Sequence, residues 1–368
     1  MQGYDLIVIG GGMVGSAIAW GAARNGAAVA LLDEGDVAYR AARANFGLVW
    51  VQTKGAGLPP YAAWSRRSAE LWPALAAELR AGTGIDPALQ QPGGLMLCLT
   101  EEELAGYDRL NQRIKAEAGD FGCRLVGRAE LKQMVPAIGP RVVGASFCPR
   151  DGHANPLLLL RALHRALLAR DGRYVPGCPV DEITRDGAGF AVRSAEQRFL
   201  ARKVVLAAGV GSARLAPMVG LAMPVRPQRG EIIVTERLRP FLAYPTQVVR
   251  QTAEGSVMMG DSQEEVGFDT SVSVPVLRDI AARNVAAFPC LAEATVVRVW
   301  SGLRPLTPDG FPIYEQSTRC PGAFAATCHS GVTLAAAHAF ELAPAILSGQ
   351  LPGKFDVFNA ARFAVPPP

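Results

Sequence analysis

The fold is decided by residues 4–33, which read YDLIVIGGGMVGSAIAWGAARNGAAVALLD. The first six residues are apolar on both faces, as in a buried parallel strand. Gly10-Gly11-Gly12-Met13-Val14-Gly15 follows, and then an alanine-rich helix leads to a second apolar strand that ends at Asp33. This order of strand, G-x-G-x-x-G, helix, strand and acid predicts a dinucleotide-binding unit.

Each glycine of the motif has a predicted role. Gly10 permits a tight turn, Gly12 lets a pyrophosphate approach the backbone, and Gly15 brings the helix close to the sheet. The helix N-terminus offers free N–H groups to the phosphates, and Asp33 is placed to accept hydrogen bonds from a ribose. A glycine turn in some other α/β domain is the alternative.

The composition indicates a folded protein of more than one domain. The chain has 368 residues, of which 49% are hydrophobic and 19% charged, so we expect two domains and little disorder. The net charge is only +4, and the sequence contains no block of like charges. The sequence therefore carries no signature of nucleic-acid binding. A mild positive excess suits an anionic cofactor and substrate, although surface arginines alone would explain it.

The seven cysteines are scattered and never form C-x-x-C. This pattern argues against a disulfide framework and against a zinc or iron–sulfur site, so no metal is expected. No signal peptide precedes the first strand, and no apolar run reaches transmembrane length. We therefore expect a cytoplasmic protein.

A basic segment, residues 40–52, follows the second strand and reads RAARANFGLVWVQ. We expect it to pass under the phosphates and reach the redox end of a cofactor; a surface helix with a glycine stop is the alternative. The later apolar run Val204-Val205-Leu206-Ala207-Ala208-Gly209 ends in small residues, which allow a cofactor to pack against the backbone.

The remaining chain alternates between helical and strand patterns. Helices are predicted at 61–80, 101–118, 157–169, 275–287 and from 328 to 347. Strands are predicted after the turn at 91–94, at 174–183, 189–193, 204–209, 231–235, 256–260, 295–300 and 323–327. We assign 1–80, 151–223 and 301–368 to a cofactor-binding domain, and 81–150 and 224–300 to a substrate-binding domain.

In this order, the motifs resemble the FAD-dependent family of D-amino-acid oxidase, glycine oxidase and sarcosine oxidase. The segments that carry the resemblance are residues 10–15, the basic segment to Asn45, Asp151-Gly152-His153-Ala154-Asn155-Pro156, Ala207-Ala208-Gly209, Gln228-Arg229-Gly230, Gly302-Leu303-Arg304-Pro305 with Asp309-Gly310, and His329-Ser330-Gly331. The resemblance implies an α/β fold, with a Rossmann-like FAD-binding domain and an α+β substrate domain built on a discontinuous antiparallel sheet.

Residues 44–52 are most similar to the flavin subunits of opine oxidases and of D-hydroxyproline and proline dehydrogenases. This narrower resemblance implies an N-substituted amino acid as substrate and companion redox subunits that accept the electrons. Lys54, Arg229 and Arg250 are the candidate cations for the second carboxylate of an opine. A self-sufficient oxidase of glycine, sarcosine or a D-amino acid, which releases hydrogen peroxide, is the alternative.

The resemblance also implies which residues bind FAD. They are Gly10, Gly12, Met13, Val14, Gly15, Asp33, Glu34, Arg43, Ala44, Asn45, Gly47, Leu48, Val180, Ala208, Gly209, Arg304, Ser330, Gly331, Val332 and Thr333. Sarcosine oxidases attach flavin through a cysteine near the position of residues 302–305. This chain has no cysteine there, so we expect FAD to be bound non-covalently.

Arg304 and His329 are the predicted catalytic residues. A guanidinium binds a carboxylate through two hydrogen bonds, so Arg304 would fix the substrate α-carbon over the flavin. A surface arginine and a structural histidine are the alternatives. Trp50, Gln52, Lys54 and Arg250 are the predicted substrate-binding residues.

The implied reaction is hydride transfer from the α-carbon to flavin N5, which gives an imine that water hydrolyses. A neutral amine needs no obligatory protein base, in keeping with the absence of a Ser/His/Asp or paired-carboxylate set in the sequence. Two other classes stay open at this point: an NAD-dependent dehydrogenase and a non-catalytic flavoprotein subunit.

Overall fold

The computed structural model describes residues 3–35, 41–195 and 197–363. The strands are β1 (Tyr4–Ile9), β2 (Val29–Leu32), β3 (Leu48–Val49), β4 (Gly94–Cys98), β5 (Arg124–Gly127), β6 (Gly144–Cys148), β7 (Gly152–His153), β8 (Arg173–Val175), β9 (Glu182–Asp186), β10 (Gly189–Ser194), β11 (Gln197–Leu206), β12 (Arg226–Arg237), β13 (Val249–Gln251), β14 (Ser256–Met259), β15 (Val296–Leu306), β16 (Ile313–Gln316) and β17 (Ala323–Thr327).

The α-helices are α1 (Met13–Arg24), α2 (Pro59–Thr83), α3 (Glu101–Ala118), α4 (Arg128–Met134), α5 (Pro156–Leu168), α6 (Ser212–Leu215), α7 (Val274–Ala287), α8 (Gly331–Ala337) and α9 (Ala343–Ser348). Short 3₁₀ turns cover Gly209–Gly211, Ala216–Val219, Pro289–Glu293, Gly353–Phe358 and Ala360–Phe363.

The central sheet has eight strands, with β16-β17-β11-β1-β2-β8 in order and β10 and β9 joined to β11. β1 pairs in parallel with β2 and β11, and β11 pairs in parallel with β17. Alternate residues of β1 enter different cores: Leu6 and Val8 face the helices α1 and α8, whereas Ile7 and Ile9 face the β9–β11 side. A strand buried on both faces explains the uninterrupted apolar run.

Two antiparallel sheets form a second layer of the molecule. The first has the order β13-β14-β12-β15, and the second has the order β4-β6-β5. Leu95 of β4, Ile233 of β12 and Phe288 after α7 belong to one buried cluster. The mixed α/β fold with an antiparallel second layer is the one that the sequence predicts.

Helix starts follow local capping rules. Asn155 caps α5 by accepting hydrogen bonds from the N–H groups of Leu157 and Leu158, and Pro156 occupies the first turn. Thr100 caps α3 by accepting from Glu103 N. Both helices lie close to the residues predicted from periodicity.

Two predictions about individual strands need correction. The strand predicted at 174–183 is two strands, because Pro176, Gly177 and Pro179 interrupt it between β8 and β9. The strand predicted at 295–300 continues as β15 to Leu306, so Arg304 lies within a strand that pairs with β12. Pro305 is tolerated there because β15 is the edge strand of its sheet.

The last helix also differs from the expectation. It runs as α8, a π-helical turn at His338–Leu342 and α9. Against the expectation from hydropathy, Gly331–Ser348 is long and apolar enough to cross a membrane, but 72% of this window is buried inside the protein. Such burial is typical of a core helix, and the helix packs against α1 and α2.

The division of the chain into two domains stays a prediction. The central sheet takes its strands from residues 4–32, 173–206 and 313–327, and the two antiparallel sheets take theirs from 94–148 and 226–306. β15 crosses the boundary predicted between residues 300 and 301.

Candidate active site

The glycine turn after β1 leaves its backbone open to a cleft. Gly10 adopts a φ of +110°, which favours glycine. A Cβ on Gly12 would meet nothing closer than the Ala42 methyl group at 3.9 Å, whereas a Cβ on Gly15 would lie 1.9 Å from the Gly10 carbonyl oxygen. Gly12 therefore leaves room for a phosphate, and Gly15 allows α1 to approach the turn, as the sequence predicts.

Asp33 lies at the end of β2 and is almost fully buried at the edge of the cleft. Its carboxylate accepts hydrogen bonds from Gly11 N at 2.6 Å and from Gly35 N at 3.0 Å. A Cβ on Gly11 would lie 2.8 Å from the Asp33 Oδ2 atom. The middle glycine, to which the sequence analysis gave no role, thus permits the contact that orients the acid. A carboxylate at this place suits ribose hydroxyl groups.

The carboxyl ends of β1, β2, β11 and β17 open onto a cleft. Ligands bind at this edge of doubly wound sheets. The predicted FAD-binding residues that line the cleft are Gly10, Gly12, Met13, Val14, Asp33, Glu34, Asn45, Val180, Ala208, Gly209 and Gly331. The glycine, carboxylate and small-residue lining of the cleft fits a flavin dinucleotide.

Several residues of the cleft escaped the sequence analysis. They include Cys178, Arg214 and Cys328. Arg214 donates a hydrogen bond from Nη2 to the Val180 carbonyl oxygen at 2.7 Å. No local motif marks Arg214, because it reaches the cleft only through the turn after β11.

The segment after β2 crosses between the two layers. Asn45 accepts a hydrogen bond from Gly47 N at 2.7 Å, and Gly47 adopts a φ of +93°. A Cβ on Gly302 of β15 would lie 2.2 Å from the Ala44 methyl group. The segment is therefore fitted against β15. Arg40 lies outside the described residues, and Arg43 is exposed and does not line the cleft.

The start of α8 closes the inner end of the cleft. Gly331 faces Met13 of α1, and Thr333 joins α8 to the segment by donating to Leu48 O at 3.2 Å and accepting from Trp50 N at 3.1 Å. On the opposite side, Ser68 of α2 donates to the Thr333 carbonyl oxygen. These contacts fix the helix end at which the sequence predicts flavin binding.

A second cavity continues from this point toward β12 and β15. It shares Ala41, Asn45 and His329 with the first cleft. The predicted site residues that line it are Ala44, Asn45, Leu48, Trp50, Lys54, Arg304, His329, Ser330, Val332 and Thr333. Phe46, Gly230, Ile232, Gln247, Asp261 and Gly302 complete the lining without having been predicted. We refer to this space as the substrate cavity.

Arg304 lies over β12 with its guanidinium fixed on one side. Its Nη1 donates to Arg229 O at 3.2 Å and to Ser262 O at 2.7 Å, and its Nη2 lies 3.5 Å from the Asp261 carboxylate. A Cβ on Gly230 would lie 2.3 Å from Nη2, so only glycine lets the guanidinium take this place. Burial lowers the pKa of Arg304, and Asp261 acts in the opposite direction.

His329 borders both spaces, and its Nδ1 lies 3.4 Å from Ser330 Oγ. Its ring opens onto the cleft, but the surrounding protein walls disfavour the charged form. Although the side chain is exposed to the open cleft, desolvation by these walls, together with the cations Lys54 and Arg304, lowers the pKa of His329 to about 3. The imidazole is therefore neutral at physiological pH.

Two arginines and one glutamine that were predicted to contact the substrate lie away from the substrate cavity. Gln52 is buried and donates to Asp151 Oδ2 at 2.7 Å. Arg250 is buried and donates to Phe46 O at 2.5 Å and contacts His153 Nδ1 at 3.2 Å. Arg229 pairs with Glu264 and Asp269. The geometry does not support substrate contact by Gln52, Arg250 or Arg229.

Gln52 and Arg250 instead hold the walls of the site in place. The Asp151 carboxylate accepts from the backbone N–H groups of Val51 and Gln52 as well as from the Gln52 side chain. Burial raises the pKa of Asp151 to about 7, and burial with the nearby Arg250 cation lowers the pKa of His153 to about 4. The Asp151 carboxylate and the Arg250 guanidinium therefore both hydrogen-bond to the backbone of the segment between β2 and α2.

The seven cysteines are all free thiols. Within residues 3–35, 41–195 and 197–363, no group of three or more His, Cys, Asp or Glu side chains has the geometry to hold a metal ion. Burial raises the pKa of Cys328 in the cleft to about 12 and also raises the pKa of Cys178. Neither thiol is a ready nucleophile.

Comparison with known proteins agrees with this geometry. A family model described as FAD dependent oxidoreductase (DAO) matches residues 5–345. The chain is 44% identical over 365 residues to one of the subunits of opine oxidase from Agrobacterium tumefaciens (strain Ach5), covering 99% of this chain and 98% of the relative.

Two solved structures share the fold. The crystal structure of glycine oxidase from Geobacillus kaustophilus has a TM-score of 0.89 and 26% identity, covering 100% of this chain and 99% of the other. L-Proline dehydrogenase from P. horikoshii has a TM-score of 0.85 and 20% identity, covering 98% of each chain. With the family match over nearly the whole sequence, these findings lead to one conclusion: the chain belongs to the DAO family of FAD-dependent oxidoreductases, which act on amino-acid-like substrates.

Proposed function

We propose that this protein is the flavin subunit of a dehydrogenase that oxidises an N-substituted α-amino acid, a secondary amine of the opine or proline type. When bound, FAD supplies the acceptor for a hydride from the substrate α-carbon, and the resulting imine is hydrolysed by water. A companion redox subunit then takes the electrons. The similarity to the opine oxidase chain over 99% of the sequence supports this substrate class and the existence of a partner.

The arrangement of Arg304 is the observation that carries the proposal. Its Nη1 is held by two backbone carbonyl groups. Among the described residues its Nε and Nη2 make no hydrogen bond, and Nη2 forms only the ion pair with Asp261 Oδ2 at 3.5 Å. That edge presents the two parallel donors that a carboxylate accepts. Arg304 thus binds the substrate carboxylate and orients the α-carbon toward the inner end of the cleft.

The other residues of the cavity contribute orientation rather than proton abstraction. Trp50 and Ile232 provide apolar walls, and His329 is neutral. A secondary amine that binds in its neutral form needs no protein base, because its lone pair assists hydride loss. The chain's part in the reaction is therefore to hold the α-carbon in one position and to exclude bulk water.

The test uses the purified holoprotein under anaerobic conditions. Opines, proline analogues, sarcosine and D-alanine are added in turn, and bleaching of the flavin absorbance is followed. Bleaching by an opine or a proline analogue, in which the N-substituent of the amino acid has two or more carbon atoms, supports the proposal. Bleaching by none of these compounds contradicts it and favours a non-catalytic flavoprotein.

The electron acceptor is tested in the same preparation. Turnover is measured with an artificial dye and, separately, by hydrogen peroxide release in air. Dye reduction with little peroxide supports a partner as acceptor. Fast peroxide release with primary amino acids, without turnover of secondary amines, would instead identify a self-sufficient oxidase, the activity named for the glycine oxidase relative.

A further inference from the structure

The substrate cavity has a distinct pattern of charge. Among the described residues that line it, only Lys54, Asp261 and Arg304 are charged at neutral pH, because His329 stays neutral. The lining therefore combines two cations with one carboxylate. Asp261 lies beside Arg304, with its Oδ2 3.5 Å from the Arg304 Nη2 atom.

Lys54 has no counter-ion in the described part of the chain. Its ammonium donates one hydrogen bond, to Ser330 Oγ at 2.5 Å, and no described carboxylate lies within 4.0 Å. Tyr61 also donates to Ser330 Oγ, at 3.1 Å. Two of the three ammonium N–H groups thus remain for a ligand. A half-buried cation without a counter-charge is unfavourable unless an anion joins it.

The turn that carries Lys54 is held in one conformation. Thr53 adopts a φ of +67°, which is rare for a β-branched residue. Gly55 follows with a φ of +78°, and a Cβ there would lie 2.3 Å from Ala62 N of α2. Asp151 fixes the start of the turn through two backbone N–H groups. A strained turn supported from both sides points to a functional position for its side chain.

We propose that Lys54 is the residue that selects a dicarboxylate substrate, by binding the second carboxylate of an N-(carboxyalkyl) amino acid. The inference rests on the proposed function and narrows it. Arg304 binds the first carboxylate, and Lys54 binds the second. The two carboxylates are complementary to the two cations of the lining, Lys54 and Arg304, while Asp261 lies beside Arg304.

The geometry also separates Lys54 from the other two candidate cations. Arg229 and Arg250 point away from the cavity into contacts of their own. A monocarboxylate secondary amine, such as a proline analogue, would leave the Lys54 ammonium without an anion. We therefore expect preference for two carboxylates, and we expect it to depend on Lys54.

Binding without turnover provides the first test. Thiodiacetate and (methylthio)acetate differ by one carboxylate and contain no amine to oxidise. Their dissociation constants are measured on holoprotein by calorimetry and by perturbation of the flavin spectrum. We expect the dicarboxylate to bind about 10- to 100-fold more tightly, since one or two hydrogen bonds to a charged group are added. Lys54→Met should abolish this preference, and Lys54→Arg should keep part of it.

Kinetics provide the second test. N-(1-carboxyethyl)alanine and N-ethylalanine are the same secondary amine with and without the second carboxylate. In Lys54→Met the ratio of their kcat/KM values should fall at least about 10-fold. Lys354→Met is the matched control, because that lysine lies on the surface and pairs with Glu341.

The outcomes separate this inference from the proposed function. An equal loss for both substrates in Lys54→Met, with no change in the thioether preference, overturns the role of Lys54 and leaves the proposed function standing. Failure of the wild-type protein to oxidise either secondary amine overturns the proposed function, while the thioether pair still decides whether Lys54 binds a carboxylate.

Discussion

Replacing Gly230 by alanine tests the position of Arg304 without removing its charge. The new Cβ would lie 2.3 Å from Nη2, 2.4 Å from Cζ and 2.4 Å from Nη1 of Arg304. Ordinary van der Waals separation is about 3.5 Å, so the guanidinium must move by about 1 Å. The hydrogen bonds from Nη1 to Arg229 O and Ser262 O are then lost or bent.

The size of the effect follows from the proposed role of Arg304, which is to bind the substrate carboxylate. Removing one partner of a buried charged pair costs roughly 2–5 kcal/mol, so Arg304→Ala should lower kcat/KM by about 30-fold or more. A misplacement of about 1 Å can cost on the order of 100-fold. Gly230→Ala should therefore lower kcat/KM about 30- to 100-fold. Lysine at position 304 should restore little, because it lacks the planar fork.

The assay is steady-state dye reduction, with thermal unfolding and flavin content measured in parallel. Unfolding should change little, since the clash involves the end of a flexible side chain. Gly127→Ala is the control, because a Cβ there meets nothing within 4 Å. In the double variant with Arg304→Ala, the alanine at 230 should cause no further loss. Near-normal kcat/KM in Gly230→Ala, or additive losses in the double variant, would refute the assignment of Arg304.

Three further predictions concern the flavin end of the site. Acid precipitation should release the yellow colour into the supernatant, because burial keeps the thiols of Cys178 and Cys328 protonated in the cleft; flavin retained in the pellet would contradict non-covalent binding. The pKa of His329 is lowered to about 3, so its imidazole should not gain a proton between about pH 5 and 9, the range in which an unperturbed histidine titrates. The pH profiles of kcat/KM for wild type and His329→Gln should therefore have the same inflections in this range. An inflection seen only in wild type would show that His329 titrates there. Gly331→Val should lower flavin content or the rate of flavin reduction, because the added methyl groups meet Met13, whose Cβ is 3.3 Å from the new Cβ position; normal values for both would separate α8 from the flavin.

Much of the cofactor half of the site was predictable from sequence because it is built from consecutive residues. β1, the glycine turn and α1 are local in the chain, and their apolar pattern and glycine spacing correspond to one known geometry. Asp33 is tied to this unit because parallel pairing of β2 with β1 brings its carboxyl end beside the turn. The small residues at the end of β11 are also placed at this edge of the sheet, because β11 pairs in parallel with β1.

The substrate half was only partly predictable, because its residues are brought together by contacts distant in sequence. The Arg304 guanidinium reaches the cavity by passing over Gly230 of β12, which has no side chain to block it. The register of β12 with β15 places these two residues diagonally across from each other. A shift of one residue turns every side chain of a strand to the opposite face, so the local pattern alone does not say whether Arg304 or Arg229 faces the cavity, and only the family resemblance favoured Arg304. Asp261 had no signal of its own in the sequence.

The sequence by itself determined the family, the cofactor and the residues around the glycine turn, since short-range pattern and strand polarity specify them. Only the tertiary structure decided which cations line the substrate cavity. Lys54 faces the cavity because its turn is fixed between Asp151 and α2, whereas Gln52, two residues earlier, turns inward to Asp151. Arg250 is turned into the protein by its contacts with Phe46 and His153. Side-chain direction in strands and tight turns depends on long-range packing, and a single sequence does not encode that locally.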